Sequence, residues 1–472
     1  MGRKKRKLPL LENIEVVDIG AEGKSIARID DRVIFLTNTV PGDIVDVQVN
    51  RKRKNFLEGY PVRFHKYSET RIKPFCSHFG VCGGCKWQSL SYSDQLSYKE
   101  KQVKDQLTRI GKISKEEAEL ISPIIGSENI KYYRNKLEYT FSNKKWLSWE
   151  ELNSGEEFTD RNALGFHIPK MFDKVLDIEE CYLQPEPSNK IRNWVRSFSA
   201  KAEMSYFDLR NHEGLLRNLI IRTSNTGEVM VIVSFFREER KSRESLLSEI
   251  LKEFPGITSL MYVINQKAND TILDQEIVLY SGKEFIVEKM EEFEFKVGPK
   301  SFYQTNSAQA YKLYQVAREF AGLKGGEIVY DFYTGTGTIA LFMSGKAGKV
   351  VGIESVPEAI EDAKENARSN SIKNAFFYAG DIKDVFSKDL ISKHGSPDVV
   401  IMDPPRAGLH SEVIVSLLEI QPPRIVYVSC NPATQARDIQ LLSETYSIKK
   451  IQPVDMFPQT HHVENVVLLE IK

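Results

Sequence analysis

One cysteine near the C-terminus has the setting of a catalytic nucleophile. Cys430 lies in the run Ser429-Cys-Asn-Pro432, after a predicted strand and before a helix whose first turn contains Pro432. The N-terminus of a helix carries partial positive charge, which lowers the pKa of a nearby thiol and favours the thiolate. A buried, inert cysteine is the more common alternative. Its place at one edge of a predicted sheet favours the nucleophile.

A glycine-rich turn follows another predicted strand. The run Asp331-Phe-Tyr-Thr-Gly335-Thr-Gly337 opens a helix, and its glycines let the backbone approach a cofactor closely. Glu354 ends the next strand, where a carboxylate can hold ribose hydroxyls. The turn lacks the full dinucleotide pattern, so by itself it is equally typical of a tight strand–helix connection. With Glu354 it favours an adenosine-bearing cofactor, as in class I methyltransferases.

Two further carboxylates are expected near the same edge. Asp403 begins the run Asp403-Pro-Pro-Arg406, whose prolines fix the backbone. Many methyltransferases that act on amino groups have an aromatic residue where this chain has Arg406, so the motif weakens that interpretation. Glu464 precedes the last strand and has the character of a general base.

The histidines His461 and His462 stand just before Glu464. A metal site would need a third protein ligand in register, and the sequence offers none. We therefore expect both to be exposed loop histidines.

Alternating strands and helices must position these groups. From about residue 326 continuous apolar strands alternate with helices, which indicates a parallel sheet covered on both faces, with ligands at the C-terminal ends of its strands. The predicted strands are 328–332, 349–353, 399–402, 425–428 and 466–471.

The N-terminal part has a different pattern. Residues 8–64 contain five short alternating strands, which predict a small closed barrel of the OB type. A helix is predicted over 93–110, and residues 131–298 form a mixed region to which no chemistry is assigned. The predicted barrel strands are 14–19, 25–29, 32–36, 43–49 and 56–60.

The other cysteines cluster. Cys76, Cys82 and Cys85 fall within ten residues, and Cys181 lies far downstream. In a cytosolic chain, clustered cysteines indicate metal binding or catalysis before disulfides. Four thiolates can hold a structural zinc or an iron–sulfur cluster, and the spacing leaves both open.

Length and composition limit the class of protein. The 472 residues predict two to four domains. No apolar run approaches the roughly 18–20 residues of a membrane span, and no apolar segment follows the basic N-terminus, so we expect a cytoplasmic protein without membrane contact. The net charge is zero, but residues 1–75 hold 16 basic and 10 acidic side chains. Their clusters, Arg3–Lys7 and Arg51–Lys54, are typical of a polyanion contact or of a solvated tail and hairpin.

A thiolate, a base and a cofactor pocket at one edge suit one reaction in particular. Carbon 5 of uracil is a poor nucleophile, but a thiolate that adds to carbon 6 creates an electron-rich enolate. Methyl transfer, removal of the carbon 5 proton by a base and elimination of the thiol then follow.

The chain resembles the RNA uracil-C5 methyltransferase family, specifically its iron–sulfur, TRAM-containing ribosomal RNA branch. The matching motifs occur in family order over the last third of the chain. They are Ser301-Phe-Tyr-Gln304-Thr-Asn306, Asp331 to Gly337, Asp403-Pro-Pro-Arg-Ala-Gly408, Val428-Ser-Cys-Asn-Pro432 and His462-Val-Glu464.

The resemblance implies roles for individual residues. Cys430 would be the nucleophile and Glu464 the base, and Phe302 matches a residue that stacks on the target base. S-adenosylmethionine contacts are implied for Gln304, Tyr333, Glu354 and Asp403. A 4Fe–4S cluster, rather than zinc, is implied on Cys76, Cys82, Cys85 and Cys181.

The expected fold is multidomain α/β. It comprises a basic tail (1–7), an OB-like TRAM barrel (8–64), a central α+β domain with the iron–sulfur cluster (65–298) and a Rossmann-like class I methyltransferase domain (299–472). Helix 93–110 is a candidate to pack on that last domain. The expected partner is RNA, bound by a monomer, with a uridine flipped out of its stack. The resemblance favours 23S ribosomal RNA, with transfer RNA as the alternative.

Three other functions compete. An RNA amino-group methyltransferase would have no use for Cys430. A non-catalytic RNA chaperone or redox sensor would not keep cofactor turn, nucleophile and base together. A cytosine-C5 enzyme is closer, but the motifs favour uracil.

Overall fold

The computed structural model describes residues 8–472, so the predicted basic tail lies outside the described residues. The first five strands form a closed barrel in the order β1-β2-β3-β5-β4. Its interior is filled by alternating aliphatic side chains, among them Val16, Ile34 and Val47. The predicted barrel is thus confirmed. Its strands are β1 (Leu10–Ile19), β2 (Ser25–Ile29), β3 (Arg32–Leu36), β4 (Ile44–Lys52) and β5 (Phe56–Lys66).

Two helices follow the segment that carries three of the cysteines. They are α1 (Tyr92–Arg109) and α2 (Lys115–Ala118). Helix α1 begins at Ser91, whose side chain accepts a hydrogen bond from the Asp94 amide and so satisfies one of the free first-turn donors.

The middle of the chain forms a mixed sheet of seven strands in the order β12-β11-β10-β9-β6-β7-β8. Strands β9 and β10 are buried on both faces, which explains the apolar residues that predominate in β10. The elements of this region are β6 (Lys136–Ser142), α3 (Trp149–Asn153), β7 (Ala163–Ile168), β8 (Met171–Asp177), α4 (Ser188–Lys201), β9 (Leu216–Thr223), β10 (Val229–Phe235), α5 (Arg240–Glu253), β11 (Ser259–Ile264) and β12 (Ile277–Gly282), followed by the hairpin β13 (Ile286–Met290) and β14 (Phe293–Val297).

The C-terminal part is a second sheet of seven strands, in the order β17-β16-β15-β18-β19-β21-β20. Its elements are α6 (Ser307–Ala321), β15 (Ile328–Phe332), α7 (Thr338–Ser344), β16 (Lys349–Glu354), α8 (Pro357–Ser369), β17 (Ala375–Ala379), α9 (Ile382–Val385), α10 (Lys388–His394), β18 (Val399–Met402), α11 (Ser411–Ile420), β19 (Arg424–Ser429), α12 (Pro432–Leu442), β20 (Tyr446–Val454) and β21 (Glu464–Ile471).

The expectation of a parallel sheet holds for five of these strands, β15 to β19. It is wrong for β21, which runs antiparallel to both of its neighbours, β19 and β20. Strand β20 therefore has the same direction as the five parallel strands. Strands buried on both faces look alike in either orientation, so the apolar pattern could not distinguish them.

The hydrophobic cores cross the boundaries between these regions. Val103 and Leu107 of α1 are buried with Ile439 of α12 in one core. Phe295 of β14 and Ile232 of β10 share another core with α6 and α7. Among residues 8–472, no helix is long and apolar enough to cross a membrane.

Candidate active site

Strand ends bring the predicted groups to one edge of the C-terminal sheet. Asp403 follows β18 and Cys430 follows β19, and these strands are parallel neighbours. Because β21 is antiparallel to β19, its first residue reaches the same edge: Asn465 pairs with Ser429, which places Glu464 beside Cys430. The sequence predicted this strand but not its antiparallel direction, and that direction completes the site.

The surroundings of Asp403 and Glu464 at this edge disfavour the ionised form of both carboxyl groups. Burial raises the pKa of Asp403, and burial together with repulsion from Asp403 raises that of Glu464. A carboxyl that is protonated near neutral pH can exchange a proton with a reacting group. The pair therefore has the electrostatics expected of an acid–base site.

The prediction that the helix N-terminus lowers the pKa of Cys430 is wrong. Burial first, and then the carboxylates Glu464 and Asp403, raise its pKa to about 11, while Arg406 acts in the opposite direction. The pKa of the thiol rises because burial and two close acids outweigh the contacts that lower it.

Arg406 lies at the same edge, although in the sequence it stands out only as a departure from another motif. Its charge lowers the pKa of both Cys430 and Glu464, and its Nη2 lies 3.2 Å from Nδ1 of His462. Asn431 Nδ2 donates to the Arg406 carbonyl at 3.0 Å, so the residue that caps α12 holds the turn that follows Asp403. A cation following two rigid prolines was the signal in the sequence.

The histidines are half-buried rather than exposed. Burial, followed by nearby cations, lowers the pKa of His461 to about 3 and of His462 to about 4. Both rings are therefore neutral at physiological pH. The expectation of solvated loop histidines is corrected.

The glycine-rich turn has open polar groups that suit a cofactor. The buried Asp331 Oδ1 has no hydrogen-bond partner. A Cβ added at Gly335 would meet no atom within 4 Å, and the Gly335 amide donates to Glu354 Oε2 at 3.2 Å. Tyr333 adopts a positive φ of 62°, a strained conformation of the kind found at binding sites. Together these features fit an adenosine-bearing cofactor at the ends of β15 and β16.

The segment 301–306 enters the same region without regular secondary structure. The Phe302 side chain is 69% exposed, and Gln304 is half-buried two residues further on. An aromatic ring this exposed next to buried neighbours is available for stacking on a ligand.

The loop between β20 and β21, which leads to Glu464, is held by other parts of the chain. Gln95 and Gln459 exchange two hydrogen bonds, of 3.0 and 2.9 Å. Tyr133 Oη donates to the Pro458 carbonyl at 2.9 Å. The orientation of this loop thus depends on α1 and on the segment before β6.

The barrel touches this loop through its turn Ala21–Gly23. Trp87 Nε1 donates to the Gly23 carbonyl at 3.2 Å. A Cβ added at Gly23 would lie 2.8 Å from Cβ of His461. The barrel is therefore in direct contact with the loop that carries Glu464.

The four remaining cysteines line one cavity of about 570 Å³, together with Gly83, Gly84 and Arg134 among others. Burial raises the pKa of both Cys85 and Cys181 to about 12, and the neighbouring thiols contribute. Across residues 8–472, no group of three or more His, Cys, Asp or Glu side chains is arranged to hold a metal ion. The structure brings Cys76, Cys82, Cys85 and Cys181 to one cavity but does not form a metal site.

Comparison with protein-family models gives two matches. Residues 227–472 match the tRNA (uracil-5-)-methyltransferase family, and residues 12–62 match the TRAM domain.

Similar proteins span nearly the whole chain. A Bacteroides thetaiotaomicron protein named as an RNA methyltransferase is 59% identical over 96% of this chain and all of its own, and one from Clostridium tetani is 35% identical over 97% and 95%. The crystal structure of the Pyrococcus abyssi tRNA (uracil-54, C5)-methyltransferase in complex with S-adenosyl-L-homocysteine matches with a TM-score of 0.75 and 28% identity, covering 97% of this chain and 100% of that one.

Proposed function

Because this chain belongs to the tRNA (uracil-5-)-methyltransferase family and is an S-adenosylmethionine-dependent RNA methyltransferase with a TRAM domain, we propose that it methylates carbon 5 of a uridine in 23S ribosomal RNA. The reaction would proceed through a covalent bond between Cys430 and carbon 6. The observation that carries this proposal is the convergence of Cys430, Asp403 and Glu464 at one edge of the sheet, where the ends of β18 and β19 meet the start of β21.

In the proposed mechanism, Cys430 gives up its proton to solvent. The thiolate sulfur then bonds to carbon 6, which moves the π electrons of the ring towards carbon 5 and the carbonyl oxygen. S-adenosylmethionine supplies the methyl group that carbon 5 accepts. Glu464 then removes the carbon 5 proton, the double bond re-forms and the carbon–sulfur bond breaks, which releases Cys430 as a thiolate.

Arg406 has a defined task in this scheme. As the cation that lowers the pKa of both Cys430 and Glu464, it opposes the burial that keeps these groups protonated. We propose Gln304, Tyr333, Glu354 and Asp403 as the contacts of S-adenosylmethionine, and Phe302 as the ring that stacks on the flipped base.

Two variants test the covalent step. Cys430→Ala should bind S-adenosylhomocysteine normally and transfer no methyl group. Glu464→Gln should transfer the methyl group once and then retain the RNA on Cys430, visible as a band stable to denaturing electrophoresis. Wild-type methylation by Cys430→Ala would refute the mechanism and revive the amino-group alternative.

The cysteine cavity supports a second part of the proposal. We propose that Cys76, Cys82, Cys85 and Cys181 bind a 4Fe–4S cluster, with zinc as the alternative, because all four thiols line a single cavity of about 570 Å³. Such a cluster would cross-link the segment before α1 to the segment before α4. Iron and sulfide analysis of protein purified without oxygen tests this proposal. Stoichiometric zinc in place of iron and sulfide would favour the zinc alternative.

The most specific part of the proposal is which RNA is the substrate. Ribosomal RNA is favoured by the resemblance to the TRAM and four-cysteine branch, whereas the Pyrococcus abyssi relative is named for transfer RNA. Mass-spectrometric mapping of 5-methyluridine in a deletion strain decides between them: loss from 23S RNA supports the proposal, and loss confined to transfer RNA would favour transfer RNA as the substrate.

We also propose that the domains comprise residues 8–64, 65–298 and 299–472.

A further inference from the structure

The segment 301–306 has an unusual source of support. It belongs to no helix or strand, so its carbonyl groups need hydrogen-bond donors from elsewhere. Arg222 Nη2, on β9, donates to the Ser301 carbonyl at 2.9 Å. Asn135, which directly precedes β6, holds the other end of the segment.

Asn135 makes two bonds to adjacent residues of this segment. Its side-chain Nδ2 donates to the Gln304 carbonyl at 2.9 Å, and its backbone amide donates to the Thr305 carbonyl at 2.8 Å. The Asn135 carbonyl in turn accepts from the Thr223 amide at 2.9 Å. The side chain of Asn135 therefore fixes Gln304 to the central sheet, and its main chain fixes Thr305.

The Asn135 side chain is itself held in place. Its Nδ2 lies 2.9 Å from Ser307 Oγ and 3.3 Å from Glu288 Oε1, and Ser307 Oγ donates to the same Glu288 oxygen at 3.0 Å. The Glu288 side chain is almost fully buried. Because the Asn135 amide is already fixed, the segment that it holds is ordered before the cofactor arrives. That segment therefore loses little entropy when the cofactor binds.

We propose that Asn135 is a positioning residue that presents Gln304 to the cofactor, so that the central sheet sets the affinity for S-adenosylmethionine without touching it. This inference rests on the proposed role of Gln304. Removing the Asn135 side chain leaves the Gln304 carbonyl without its donor. The free energy lost with this hydrogen bond is enough to change the position of segment 301–306.

The experiment uses the whole chain and three variants. Titration calorimetry with S-adenosylhomocysteine should show a dissociation constant raised about tenfold in Asn135→Ala, as expected for one lost buried hydrogen bond. The matched control is Asn143→Ala, because Asn143 makes a comparable bond of 3.1 Å to Asp208 at the other end of β6 and lies outside segment 301–306. Gln304→Ala tests the underlying role.

The outcomes separate the two ideas. Equal affinity in Gln304→Ala and wild type would refute the proposed contact of Gln304. A weakened Gln304→Ala with an unchanged Asn135→Ala, or equal losses in Asn135→Ala and Asn143→Ala, would overturn the positioning role. Should Asn135→Ala not fold, Ser307→Ala removes one of the two side chains that hold the Asn135 amide and leaves Glu288 in place. A two- to threefold loss of affinity is then expected, and an unchanged affinity refutes the inference.

Discussion

Lys99 Nζ lies 2.6 Å from Asp455 Oδ1, and both side chains are completely buried although they stand 356 residues apart in the sequence. Tyr92 Oη donates to the other oxygen of Asp455 at 2.8 Å. Lys99 Nζ also donates to the Phe457 carbonyl at 3.1 Å. This ion pair fastens α1 to the start of the loop that ends at Glu464.

We expect Lys99→Met to lower the free energy of unfolding by about 3–5 kcal/mol, because it leaves the buried Asp455 charge without its partner. Urea unfolding measures the change. The double variant Lys99→Met/Asp455→Asn should recover part of the loss, since the buried charge is then absent. Additive losses in the two single variants would show that the pair does not interact in this way.

The pH dependence of Cys430 reactivity follows from its raised pKa of about 11. Below that pKa the thiolate fraction rises with pH, so alkylation of Cys430 by iodoacetamide should accelerate about tenfold per pH unit between pH 7 and 10. Quantifying the Cys430 peptide by mass spectrometry separates it from the other cysteines.

Two variants should move this profile in opposite directions. Glu464→Gln removes a repelling carboxylate and should shift the profile to lower pH, whereas Arg406→Gln removes the favourable cation and should shift it to higher pH. A profile that moves the same way in both variants would contradict the electrostatic account of the site.

Gly23→Ala tests the contact between the barrel and the loop of Glu464. The added Cβ would lie 2.8 Å from Cβ of His461, at a φ of +71°. Gly227→Ala is the control, because Gly227 has a φ of +84° and nothing within 4 Å. We expect Gly227→Ala to cost about 1 kcal/mol for the backbone alone, and Gly23→Ala to cost more and to lower kcat as well. If Gly23→Ala and Gly227→Ala changed the free energy of unfolding and kcat by the same amounts, the barrel would not constrain the loop.

The exposed cluster at the β4–β5 turn predicts a salt effect on RNA binding. Replacing Lys52, Arg53 and Lys54 with alanine should reduce the slope of log Kd against log salt by about 2–3, since each phosphate contact contributes roughly 0.7–0.9. Arg240→Ala/Lys241→Ala, on α5, removes charge away from the barrel and should leave the slope unchanged. An unaltered slope in the triple variant would place the phosphate contacts elsewhere.

The sequence predicted features that depend on local pattern. The five barrel strands follow from alternation and turn residues, and the strands that end at Glu354 or just before Asp403 and Cys430 follow from continuous apolar runs; the structure confirms them. The sequence could not reveal the orientation of β21, because a fully buried strand has no polar face to indicate its neighbours. Nor could it predict the raised pKa of Cys430, which depends on two carboxylates brought close by tertiary structure.

Long-range support was equally hidden. Asn135 and Lys99 lie in regions to which the pattern assigned no chemistry, and their partners Gln304 and Asp455 are separated from them by more than 150 residues. A single polar residue carries no periodicity, so only the folded chain identifies its role.

The cores that cross region boundaries bear on how such an enzyme can be engineered. A fusion that exchanges the C-terminal part at residue 298 would leave α1 and the β13–β14 hairpin on the wrong side of the joint, although both are packed in its cores. We expect such chimaeras to aggregate unless these elements travel with the C-terminal sheet. The unit that can be transplanted is therefore discontinuous in sequence, and recombination at a single crossover point cannot transfer it.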